Sequence, residues 1–225
     1  MKTIVVIGGS SGIGSAIIDE LKATNTIINI SRTAPKQHAN VTHISCNILE
    51  DDLPAIEEIH GLVYCPGSIN LKLFNRLTLD DFQNDLNINL IGAIKTLKAY
   101  ENQLANNNGS VVLFSTVASA LGMPFHASIA ASKSAIEGLT KSLAAEYATK
   151  IRFNAIAPTV TNTPLAARLL RNEKQQETLK QRHPLKKYLE PQEVANLACY
   201  LLSDKASAIT GQILPIDAGL VSVKL

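Results

Sequence analysis

The chain begins Lys2-Thr3-Ile4-Val5-Val6-Ile7-Gly8-Gly9-Ser10-Ser11-Gly12-Ile13-Gly14, and Ser15-Ala16-Ile17-Ile18-Asp19-Glu20-Leu21 then takes up helical apolar spacing. A β-branched run that breaks into glycines and continues as a helix is a strand–turn–helix unit, and such a turn suits a phosphate. Glycines allow φ > 0 and a close backbone approach, and the helix start offers unpaired N–H groups and a positive dipole end. Gly8, Ser10, Ser11, Gly12, Ile13 and Gly14 are therefore the expected cradle for the pyrophosphate of a dinucleotide.

Working outward, short β-branched runs recur at 26–30, 41–45, 61–64, 111–115, 151–156 and 212–216, with helical spacing at 15–23, 90–104 and 132–148. Nearly continuous apolar strands alternating with helices point to a parallel sheet covered on both faces. The reading is a doubly wound (Rossmann) α/β fold over residues 1–225, one domain without linker or repeat. Between Ser31 and Val41 there is no room for a crossover helix, so that helix should be missing and one face of the sheet partly uncovered. The helix around Ser132–Ala148 is apolar or small nearly all round, which predicts burial against a second subunit in a homodimer or homotetramer.

Composition narrows the classes. With 46% hydrophobic and 18% charged residues the chain is not disordered. A net charge of +2, 4% aromatics and no Trp leave little for phosphate neutralisation or base stacking, so nucleic acid is not an expected partner. Cys46, Cys65 and Cys199 form no CxxC pair, which suggests reduced thiols and a cytoplasmic setting, and the five histidines lack metal-ligand spacing. No apolar run is long enough for a signal peptide or membrane helix, so no membrane partner is expected.

The end of the second strand, Ile30-Ser31-Arg32-Thr33, bears on the choice of dinucleotide. An NAD site places a carboxylate there for the ribose 2′-OH, whereas a guanidinium suits a 2′-phosphate. Arg32, with Ser31 or Thr33 donating a further hydrogen bond, predicts NADP(H).

These features, with several others in the right order, resemble the short-chain dehydrogenase/reductases over nearly the whole chain. The family's TGxxxGxG loop matches Gly8, Gly12 and Gly14, with Ile7 for Thr, and its NNAG segment appears as Tyr64-Cys65-Pro66-Gly67. Its VNLxG context matches Ile88-Asn89-Leu90-Ile91-Gly92, and its NxxxPGxxxT run looks like Asn154 to Thr163 with Thr159 for Gly. Ile209-Thr210-Gly211-Gln212 and Asp217-Ala218-Gly219 are similar to its closing ITGQ and DGG. The resemblance implies cofactor contacts at Asn47, Ile48, Pro66, Gly67, Lys133 and Pro158, and nicotinamide carboxamide contacts at Val160 and Thr163. It implies a reaction-site role for Asn89.

The catalytic signature departs from that pattern. The family carries YxxxK on a helix; Lys133 matches, but four residues earlier stands Ile129. The family's serine falls on Thr116, next to Ser115, and only one of two successive extended residues should address the site. A positioned general acid contributes about 10²–10⁴-fold, roughly 2.7–5.5 kcal/mol of barrier. His126, three residues before Ile129, is the expected replacement donor, with Ser128 a weaker one. The expected catalytic set is thus Asn89, Thr116, His126 and Lys133 around a small-molecule substrate, with residues 159–183 as its lid. Two functions follow: an NADP(H)-dependent oxidoreductase with atypical acid–base chemistry, or a silent NADP(H)-binding protein acting through a partner or oligomer.

Overall fold

The computed structural model describes residues 1–35 and 38–224. Seven strands, β1 (Lys2–Ile7), β2 (Asn25–Ser31), β3 (Val41–Ser45), β4 (Gly61–Tyr64), β5 (Ser110–Phe114), β6 (Arg152–Pro158) and β7 (Ile213–Ile216), form one sheet. Their order is β3-β2-β1-β4-β5-β6-β7, and every neighbouring pair is parallel. The order reverses between β1 and β4, and the crevice beyond the carboxyl ends of these strands is where this fold binds ligands.

Alternate strand residues face opposite layers, so each strand must be apolar on both sides. Val5, Ile7, Leu62, Val111 and Leu113 pack with Ala93, Leu97 and Tyr100 of α3 (Gly92–Asn106) and Ile136 and Ala144 of α4 (Ala127–Glu146). Ile4, Val6, Val63, Val112 and Ile156 pack on the other face, with Ile17 and Ile18 of α1 (Gly12–Leu21) and Val194, Ala198 and Leu201 of α6 (Pro191–Leu202). Two helices complete the set: α2 (Leu79–Leu86), which leads through a π-helical turn at Asn87–Ile91 into α3, and α5 (Glu173–Arg182).

Between β2 and β3 the described residues form no helix; residues 36–37 lie outside the description. Val41 and His43 of β3 stay half-buried there, as expected of a partly uncovered face. The connection from β3 to β4 also lacks a helix, and its Ile48, Ile56 and Ile59 bury themselves under α3, whose Tyr100 hydroxyl donates to Pro54 O at 2.9 Å. Within this single chain α4 buries one stripe, Ile129, Ser132, Lys133, Ile136, Thr140 and Ala144. Its other face, with Ala131, Ser134 and Gly138, is exposed.

Candidate functional site

The loop from β1 to α1 is shaped by close approaches that only glycine permits. Gly8 has φ +78° and its N–H bonds Ile30 O at 2.9 Å, while a Cβ on Gly14 would lie 2.5 Å from Gly8 O. A Cβ on Gly9 would meet Ile18 Cδ1 at 2.3 Å and Asn29 Oδ1 at 2.5 Å. Asn29, fully buried on β2, accepts from Gly9 N at 2.8 Å and donates to Ser31 Oγ at 2.8 Å and His43 Nδ1 at 3.0 Å. Neither Gly9 nor Asn29 was among the sequence candidates, and only the three-dimensional contact reveals them. Ser11, the residue before α1, is extended and makes no side-chain cap, which leaves the first-turn N–H groups for a ligand.

This loop forms one wall of a cleft of about 620 Å³. Gly8, Ser10, Ser11, Gly12, Ile13, Gly14, Ser31, Arg32, Thr33, Asn47, Ile48, Pro66, Gly67 and Thr163 all line it. Arg32 is exposed there, and among the described residues its guanidinium has no ion-pair or hydrogen-bond partner. Ser31 departs from expectation: its hydroxyl proton goes to Thr33 O at 2.7 Å, so the buried side chain is not free to donate to a phosphate. The exposed Thr33 retains that possibility. Glu50, brought in by the β3–β4 connection, also lines the cleft. These residues fit a dinucleotide: an uncapped helix start behind a glycine cradle, and an unpaired guanidinium past β2.

A second cavity, about 190 Å³ and largely apolar, adjoins the first through Ile13, Cys65, Gly67, Thr163 and Leu165. Of the sequence candidates, Thr116, His126, Lys133, Pro158 and Val160 line it, as does Ile129 one helical turn before Lys133. Lys133 is buried on α4 and its Nζ donates to Phe114 O at 2.9 Å. Burial lowers its pKa from 10.5 to about 8, with Cys65 and Asp85 pulling weakly the other way. A Cβ on Gly67 would stand 3.6 Å from Lys133 Nζ and 3.4 Å from Asn89 Oδ1, so the loop after β4, the π turn and α4 converge here.

Asn89 lies in the π turn, 1% exposed, and does not line the cavity. Its amide nitrogen lies 2.9 Å from Ser68 Oγ, 2.8 Å from Asp85 O and 3.2 Å from Ser132 Oγ, so its two protons are shared among three acceptors and tie α2, α4 and the loop after β4 together. Tyr64, which stands in the NNAG position, holds the same turn by donating to Ile88 O at 2.6 Å. Ser115 and Thr116 both line the cavity, because β5 ends at Phe114 and the strand alternation no longer applies. Ser115 Oγ donates to Glu137 Oε1 at 2.5 Å, while Thr116 Oγ1 accepts from Ala118 N at 3.3 Å and keeps its own proton free.

His126 is the residue just before α4, and its Nδ1 donates to Pro124 O at 2.7 Å. Ser128 is buried but does not line the cavity, which removes it as a donor. Val160 gives its carbonyl to Leu189 N at 3.0 Å, and Asn162 N bonds Leu189 O at 2.7 Å. In this parallel bridge the residue between, Thr161, turns its own N–H and C=O away from Leu189. Thr161, another cavity residue, was not foreseen because its partner lies far along the chain. Of the expected lid, Thr159, Val160, Thr161, Thr163, Leu165, Ala166 and Leu169 reach the cavity, whereas α5 buries none of its residues.

Comparison with known proteins agrees with this architecture. The family model described as enoyl-(acyl carrier protein) reductase matches residues 47–221. The chain is 32% identical over 237 residues to a 3-oxoacyl-[acyl-carrier-protein] reductase of Rickettsia felis, covering 99% of this chain and 98% of that protein. Among solved structures, an oxidoreductase of the short-chain dehydrogenase/reductase family from Burkholderia thailandensis superposes with TM-score 0.91 at 28% identity, covering 99% and 94% of the two chains. A putative NAD(P)-dependent gluconate 5-dehydrogenase from Beutenbergia cavernae, with NADP bound at low occupancy, gives TM-score 0.92 at 26% identity over 99% and 97%. No helix of the described residues is long and apolar enough to cross a membrane. The chain belongs to the short-chain dehydrogenase/reductase family of oxidoreductases.

Proposed function

We propose that the protein interconverts a carbonyl and an alcohol with NADP(H) as redox partner, using acid–base chemistry that does without the family's phenol. The observation that carries this reading is the joining of the two cavities: a dinucleotide cleft with a free guanidinium opens into an apolar pocket where Lys133 and Thr116 stand together. When bound, the cofactor supplies or accepts a hydride. The chain's own residues do the rest. The α1 N-terminus and glycine cradle hold the pyrophosphate, Arg32 and Thr33 hold the 2′-phosphate, and Asn47 and Ile48 border the adenosine. Thr161, in place of Val160 whose carbonyl is spent on Leu189, joins Thr163 in holding the carboxamide.

In the pocket, Lys133 orients the nicotinamide ribose and Thr116 donates its free proton to a carbonyl oxygen. Asn89 braces the turn beneath them through an amide shared among Ser68, Asp85 and Ser132. The proton that the phenol would supply comes from the imidazolium form of His126, whose Nδ1–H stays on Pro124 O while the Nε2 proton is given to the carbonyl oxygen and is regained from solvent. Orientation and hydride transfer without an ideally placed acid leave a slow enzyme rather than a dead one. Residues 159–183 cover the substrate, with Leu165, Ala166 and Leu169 joining Thr159 in the pocket lining.

A second reading, an NADP(H)-binding protein without turnover, is favoured by one observation: Ile129, 6% exposed, fills the phenol position with hydrocarbon. A carbonyl panel with NADPH on wild type, Ile129→Tyr and His126→Ala decides between them. The enzyme reading expects turnover in wild type, about 10²-fold or more gain in Ile129→Tyr, and a loss in His126→Ala. Binding of NADPH without turnover in wild type or Ile129→Tyr favours the second reading, and wild-type rates in His126→Ala remove that histidine from the mechanism.

A further inference from the structure

His183, 2% exposed, has no part in the reading above. It follows the last residue of α5, with Nδ1 2.7 Å from Leu179 O and Nε2 2.8 Å from Thr159 Oγ1. A carbonyl oxygen has no proton to give, so Nδ1 is the donor, and a neutral imidazole then keeps only a lone pair on Nε2. The Thr159 hydroxyl must point its single proton into that lone pair. Thr159, 6% exposed, lines the apolar pocket, and what it has left to offer a ligand is acceptor lone pairs alone. The other hydroxyl highlighted in the lining has the opposite polarity: Thr116 Oγ1 accepts from Ala118 N and keeps its proton free, and the Lys133 ammonium likewise only donates. The pocket therefore carries a free hydroxyl proton at Thr116 and, at Thr159, a hydroxyl that can only accept, as can those of Ser115 and Thr161, whose protons go to Glu137 Oε1 and Thr159 O.

We infer that the substrate is a hydroxy-carbonyl compound on an apolar body, its carbonyl oxygen taken by Thr116 and its hydroxyl donating to Thr159, with His183 as the positioning residue that holds Thr159 in acceptor orientation. This deepens the carbonyl reading above and rests on it for the identity of the first oxygen. A ligand that lacks the hydroxyl leaves the Thr159 oxygen buried without a donor, and a site built around a polar partner discriminates most strongly against the analogue that lacks it.

The test uses 4-hydroxycyclohexanone and 4-methoxycyclohexanone, which differ in the donor, titrated into the full chain saturated with NADP+ so that neither ketone is reduced. Wild type should bind the hydroxy probe about tenfold more tightly, a ratio that corresponds to about 1.4 kcal/mol. Thr159→Val should bring the ratio to about one by weakening the hydroxy probe alone, and Thr159→Ser should keep it. His183→Phe frees the Thr159 hydroxyl to turn, so the ratio should fall because the methoxy probe gains. A role for the pair in folding alone would weaken both probes alike and leave the ratio unchanged, which overturns the inference. A wild-type ratio of one, a ratio that survives Thr159→Val, or failure of both probes to bind overturns it as well. NADPH turnover of the two ketones, measured separately, reports on the carbonyl reading: no turnover with the binding preference intact defeats that reading and leaves the Thr159 acceptor standing.

Discussion

Replacing Lys133 by Met should make the protein harder to unfold while weakening its hold on the cofactor. Lys133 is buried and its pKa falls from 10.5 to about 8 because the ammonium is taken out of water. At 1.36 kcal/mol per unit, carrying that charge costs the folded state about 3 kcal/mol at pH 7. Met has similar length and no charge, so the cost disappears. In exchange Phe114 O loses the donor 2.9 Å away, worth about 1 kcal/mol. The net gain at pH 7 is about 2 kcal/mol.

The pH dependence makes the argument specific. Between about pH 8 and 10.5 the unfolded chain holds a proton on this lysine that the folded chain has shed. Wild-type stability therefore rises through that window, with the cost fully present below it and absent above it. Urea unfolding of wild type and Lys133→Met should give a gap of about 2 kcal/mol at pH 7 that closes to near zero by pH 9.5. A variant less stable than wild type at pH 7, or a gap that does not change with pH, would refute the reasoning. NADPH affinity should move in the opposite direction, down about tenfold, since a charge-assisted hydrogen bond is lost.

Arg32→Ala should lower NADPH affinity about 10–100-fold, as expected for loss of a charged hydrogen-bonded contact, and leave NADH nearly unchanged; tighter binding of NADH than NADPH by wild type would defeat the assignment. Gly138 lies on the exposed face of α4, and a Cβ added there meets nothing within 4 Å, so Gly138→Arg should stabilise the monomer's helix by about 0.8 kcal/mol. If this face joins two copies, sedimentation should show a wild-type oligomer and a smaller, still folded variant; an unchanged mass would place any interface elsewhere.

Much of the fold was legible because its signals are local. All seven strands announce themselves as β-branched runs, and the apolarity of both faces of β1, from Ile4 to Ile7, already implies helices above and below. Local signals place the strand ends less sharply. Ser115 reads as strand, yet β5 stops at Phe114, and that one-residue difference decides that Ser115 and Thr116 both reach the cavity. Helix α6 went unread although Pro191 at its start and Glu193 in its first turn mark an N-terminus, with Val194, Ala195, Ala198, Leu201 and Leu202 at helical spacing behind them.

The site divides along the same line. A phosphate cradle is built from consecutive residues, since turn, helix start and dipole are neighbours by covalent structure, and Gly8 to Gly14 could be read without a fold. The apolar pocket is assembled from the ends of β4, β5 and β6 and the start of α4, and the polarity of the Thr159 and Ser115 hydroxyls there is set by partners far along the chain. Asn29 reaches Gly9 across 20 residues and His183 reaches Thr159 across 24. Ser31 shows the consequence from the other direction: its residue type suits a phosphate, but its proton is already committed to Thr33 O. A sequence therefore lists which side chains have protons to give, whereas the fold decides which of those protons are already spent, and the spent ones, at Ser31 in the cleft and Thr159 in the pocket, say more about the ligand than the free ones.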